Sequence, residues 1–155
     1  MRSKSRFAED LRAHVRTVLL SDELIELAYA AGLDRDEITD RLWPLLTRQP
    51  PFRAQALLHA ISPDPRETVA FMGTLLDEFA SLAEWRAARL RSAAMRVASL
   101  HGLGARHAEM ICSCWMLFGP SPLDPFASMQ VFGREATLAR CEQALRSFSA
   151  NLMVS

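Results

Sequence analysis

Between Leu100 and Ile111 the chain reads Leu-His-Gly-Leu-Gly-Ala-Arg-His-Ala-Glu-Met-Ile, two glycines flanking one apolar residue between two strongly helical segments. Gly102 and Gly104 permit a sharp turn whose backbone N–H groups can approach a ligand closely. The helix that follows aims its positive end at the same place, which suits an anion such as phosphate. Local charge agrees. From Trp85 to Ala108 stand Arg86, Arg89, Arg91, Arg96, Arg106, His101 and His107, with no acid in the span. The same glycines also fit a plain helix–helix connection closed over Ala108, with the arginines solvating the preceding helix.

Other groups offer less chemistry. Cys112 and Cys114 invite a metal reading, but on a helix residues two apart point about 200° from each other and cannot share one tetrahedral ion. No Ser/His/Asp grouping, phosphate-binding loop or paired-carboxylate pattern is present. Near the C-terminus Leu138, Cys141, Leu145, Phe148 and Leu152 recur at spacings of three and four, the seam of a helix that packs along another. That seam either closes the chain's own core or receives a second copy or a different protein. Trp43, Trp85 and Trp115 read as core residues.

Helical periodicity dominates the elements that must carry these residues. Phe7, Leu11, Val15 and Val18 define a first helix from about Ser5 to Leu19. A second runs from Asp22 to Ala31, with Asp22 and Glu23 at its start and Gly32 past its end. Asp34 and Glu37 form a capping box before a third, kinked at Pro44 and stopped by Pro50-Pro51. A short fourth covers Phe52 to Ile61. Asp64 as N-cap, Pro65 and Glu67 open a fifth, lined by Val69, Met72, Leu75, Leu76 and Phe79. Ser81 and Glu84 repeat the start signal and predict a break, after which a sixth helix reaches Leu100. Ala105 to Phe118 follows the turn and ends at Gly119-Pro120. Asp124 then caps one last helix running to about Leu152. No β-branched alternation appears, so an all-α fold of seven or eight helices without a sheet is expected.

Composition bounds the rest. The chain has 155 residues, of which half are hydrophobic and 23% charged, a balance typical of one globular domain over 1–155. Its 18 basic and 18 acidic residues cancel, so no global field draws it to nucleic acid or anionic lipid, although a local basic face is compatible with neutrality. No apolar run approaches the roughly 20 residues that span a bilayer. Three cysteines, an odd number without a secretory context, indicate reduced thiols and a cytoplasmic location.

Leu100, Gly102, Leu103, Gly104, Ala108 and Ile111 match the leucine, glycine, apolar, glycine, alanine and isoleucine positions of a helix-hairpin-helix motif, which this stretch resembles. The resemblance implies a phosphate gripped by the hairpin amides and the second helix's N-terminus without sequence readout. In the hairpin-containing DNA glycosylases a lysine stands two residues after the second glycine and an aspartate lies downstream. Arg106 and Asp124 occupy those places here, and an arginine cannot become a Schiff-base nucleophile, which removes the lyase reading. A second, looser resemblance is to the globins, through Leu45, Leu46, Pro50, Arg53 and His101, with Leu57 near that family's haem-wedging phenylalanine. It implies haem with His101 as proximal ligand.

The leading expectation is a noncatalytic helical adaptor or regulator, with no cofactor and no membrane contact, that meets a protein partner or forms a homodimer through Leu138, Leu145, Phe148 and Leu152. The alternative is a nucleic-acid binder using Gly102, Gly104, Arg106, His107 and Arg96. A haem protein built on His101 is the third.

Overall fold

Capping residues divide the chain where the sequence places most of them. The structure, a computed structural model, describes residues 3–14, 21–33, 64–117 and 121–154, the side chains of 13, 14 and 151–154 excepted. The helices expected between Asp34 and Ile61, together with Trp43 and the globin-like positions from Leu45 to Leu57, lie outside the described residues. So does the side chain of Leu152.

Seven helices, and no strand, occur among the described residues: α1 Lys4–His14, α2 Asp22–Ala30, α3 Pro65–Ala80, α4 Ala87–Leu100, α5 Ala105–Leu117, α6 Pro125–Phe132 and α7 Arg134–Val154. Ser21 caps α2 by accepting from the Leu24 amide, with Asp22 and Glu23 in its first turn. Asp64 caps α3 by accepting from the Arg66 amide, Pro65 following it. Both α2 and α4 end in the same way. Gly32 and Gly102, at φ +72° and +69°, take the left-handed conformation that lets the next two amides satisfy terminal carbonyls. At α4 the Gly102 amide donates to Ser99 and the Leu103 amide to Ala98, at 3.2 and 2.8 Å.

Two boundaries differ from the sequence expectation. Ser81 starts nothing: it is the C-cap of α3, its hydroxyl donating to the Glu78 carbonyl at 3.0 Å. The next helix opens only at Ala87, behind Arg86. The last helix is two. Asp124 caps α6, and Gly133, at φ +96°, turns the chain into α7. One glycine inside a long helical pattern is a weak signal, and only its left-handed backbone turns it into a corner.

Helix α3 packs against α4 and α7, α5 against α4 and α7, and the short α6 touches α2, α4, α5 and α7. Pro125, Phe126, Ser128 and Met129 of α6 are buried, so this segment sits at the centre rather than the surface. Its Met129 carbonyl accepts from Trp85 Nε1 at 2.8 Å and from Thr137 Oγ1 at 3.3 Å, tying the α3–α4 link and α7 to one point. The core is one cluster, with Phe7, Phe71, Phe79, Trp115, Phe126 and Phe148 its large members.

The seam of α7 faces that core. Phe148 and Cys141 are fully buried, and Leu138 and Leu145 are half-buried against the cluster. Helix α7 packs along α3, whose Phe71, Met72, Leu75 and Phe79 are buried.

Candidate nucleic-acid interface

The α4–α5 corner assigns its two glycines different work. Gly102 ends α4, and its amide and that of Leu103 are spent on α4 carbonyls. Gly104 begins α5, its carbonyl accepting from the Ala108 amide at 3.0 Å. Lacking a side chain, it leaves the amides of Ala105, Arg106 and His107 without an acceptor among the described residues, and Gly104 to Arg106 are exposed. Such amides and the helix dipole make a place for an anion. Arg106 stands beside them, exposed and without an ion-pair partner among the described residues. His107 turns partly inward, its Nε2 buried and without a hydrogen-bond partner.

His101 packs against α3. Thr74 Oγ1 gives its single proton to the Ala70 carbonyl at 3.0 Å, so the 3.2 Å contact with His101 Nε2 is a donation from the imidazole. The ring meets Phe71 edge-on, at 6.2 Å between centroids. The nitrogen that a haem iron would require is thereby engaged in the α3–α4 seam.

The arginine-rich span is acid-free in sequence but not in space. Arg96 pairs with Glu78 of α3, Arg86 with Glu84 at 3.6 Å, and Arg91 with Asp124 at 3.0 Å and Glu109 at 3.7 Å. Arg91 also lies over the Phe126 ring at 4.8 Å, so its guanidinium joins α4 to the cap of α6. Asp124 serves twice, one oxygen accepting from the Phe126 amide at 2.8 Å and the other from Arg91. The charge of the acid-free span is thus partly neutralised by carboxylates outside it. Arg89, which no acid approaches among the described residues, was in the acid-free span but not among the site candidates.

The buried polar groups belong to the fold. Arg140, 3% exposed, donates to the Met116 carbonyl at 3.1 Å and lies 4.1 Å from the Phe132 ring centroid. Burial pushes its pKa down to about 10, which leaves it charged at neutral pH. Cys112, Cys114 and Cys141 are buried free thiols. Burial raises Cys114 to about 11 and Cys141 to about 12, and drives Cys112 well above the usual thiol range with Cys141 adding to it. Such thiols are poor nucleophiles. Among the described residues no three His, Cys, Asp or Glu side chains gather to hold a metal ion, and no helix is long and apolar enough to cross a membrane.

The profile of the anticodon binding domain matches residues 25–145, from within α2 into α7 and over more than half of the chain. The chain belongs to the anticodon binding domain family. Neither a curated protein nor a solved structure matches it. The matched span contains α3 to α6 whole, and with them the α4–α5 corner, Arg89, Arg96 and Arg106.

Proposed function

We propose that this chain is a noncatalytic RNA-binding module that takes the anticodon arm of a transfer RNA. The observation that carries this reading is membership of the anticodon binding domain family over residues 25–145. The α4–α5 corner supports it physically: three open amides at the start of α5 and the unpaired Arg106 offer donors to phosphate oxygens. A role beside the translation machinery in the cytoplasm follows from such a ligand. The adaptor reading is less well supported, since Phe148 is buried and Leu138 and Leu145 are half-buried against the core. The absence of a catalytic role is likewise an inference, supported by thiols raised far from ionisation and by the capping roles of Asp64 and Asp124.

The test is a titration of fluorescently labelled transfer RNA with the purified chain at several salt concentrations. Binding that weakens steeply with salt is expected, because cations replace counterions on phosphates. No binding at low salt contradicts the proposal.

A further inference from the structure

We infer that the outer face of α4 is a track for the phosphodiester backbone of RNA, extending the interface beyond the α4–α5 corner. The inference rests on the RNA-binding reading above and names where the strand lies. Arg89, Ser92, Arg96 and Ser99 are all exposed, at spacings of three, four and three. At 100° per residue they fall on an arc of about 80°. Arg86, exposed just before the helix, extends the line to a length of about 20 Å at 1.5 Å per residue. Every polar side chain on this line is a donor, and α4 contains no acid.

The groups facing the line from neighbouring elements are few. Glu78 of α3 meets Arg96, and Glu84 meets Arg86. Both arginines keep more than half of their side-chain surface in water, so these are solvated pairs that a phosphate can displace. Arg89 has no such partner among the described residues, and neither the Ser92 nor the Ser99 hydroxyl has a hydrogen bond there. Folding does not call for this arrangement. Arg86 at the N-cap makes no side-chain cap and Arg89 lies in the first turn, two cations at the helix's positive end, where α2 and α3 place acids. A local rule broken without a structural return is expected where a surface serves a ligand.

Polyanion chemistry distinguishes the occupant. A protein partner needs apolar anchors at the centre of its footprint. This face offers one at its far end, Leu100, 75% exposed and the only large hydrophobic residue so exposed among those described. Guanidinia alternating with hydroxyls match phosphate oxygens and ribose hydroxyls instead.

The experiment uses the full chain, a labelled anticodon stem-loop RNA and an unlabelled poly-glutamate competitor. The double variant Arg89→Gln with Arg96→Gln is expected to bind at least tenfold more weakly at low salt. Its slope of log affinity against log salt should be shallower by about 1.4 to 1.8, two phosphate contacts at roughly 0.7 to 0.9 each. Arg66→Gln, which removes one charge at an exposed position of α3, should alter affinity less than twofold, and poly-glutamate should not displace the RNA. Ser92→Asp, which adds a carboxylate between the two arginines, should weaken binding similarly and serves if the double variant unfolds. Wild-type affinity and slope in these variants would overturn the track while leaving RNA binding intact. Displacement by poly-glutamate at equal charge would assign the face to acidic protein segments. Failure of the wild type to bind RNA would remove both this inference and the function it extends.

Discussion

Replacing Gly102 by Ala and Gly104 by Ser should move stability in opposite directions, although the residues are two apart in one turn. A Cβ at either position meets nothing within 4 Å, so sterics with neighbours contribute little to either change. The difference is backbone. Gly102 has φ +69°, where a side chain costs about 1–2 kcal/mol. For a domain of this size that lowers Tm by roughly 2–8 °C. Gly104 lies outside the left-handed region and heads α5. A serine there restricts the unfolded chain, and its hydroxyl caps an open amide of α5, together stabilising by about 0.5–1 kcal/mol. The expected rise in Tm is roughly 1–4 °C. The same hydroxyl occupies donors assigned to phosphate, so Gly104→Ser should bind RNA more weakly while melting later. Thermal unfolding followed by circular dichroism, with an RNA titration of each variant, reads both effects. An unchanged Tm for Gly102→Ala, or an equal loss for both variants, would refute this division of roles.

Two further outcomes follow from the core. Trp85→Phe keeps an aromatic ring edge-on to Phe79 but loses the 2.8 Å bond to the Met129 carbonyl, and urea unfolding should show a loss of about 1 kcal/mol. Cys141 is raised to about 12 by burial, so its neutral form is favoured in the fold. The stability this contributes is fully present below the pKa of an unfolded thiol, about 8.5, and is lost as pH rises through 12. Wild type should therefore lose stability across that alkaline range by more than Cys141→Ala does, and its thiols should resist alkylation at pH 8 until denaturant is added.

Helix content was legible because caps and periodicity agree. Ser21, Asp64 and Asp124 each carry a side chain that accepts from the first-turn amides of the helix it opens, as their types imply. Ser81 has the same chemistry but follows Ala80 at the end of α3, where its hydroxyl finds a carbonyl instead, so the S-x-x-E pattern misled. Gly133 was invisible as a corner because Phe132 and Arg134 continue an unbroken helical pattern around it. At the candidate site, the acid-free run from Trp85 to Ala108 was read correctly as sequence. Glu78 and Asp124, which neutralise Arg96 and Arg91, come from α3 and from the segment before α6, and no local spacing announces them. The α7 seam was legible as a seam. That its complement is α3 required the tertiary fold.

The central claim, that the ligand is the anticodon arm, is tested most directly by competition. Full-length transfer RNA, labelled and bound to the chain, is challenged with an isolated anticodon stem-loop and separately with an acceptor-stem minihelix of equal length and charge. Displacement by the stem-loop at concentrations where the minihelix has no effect is the predicted result. Equal displacement by the two RNAs would contradict it and leave only a general affinity for phosphate backbones.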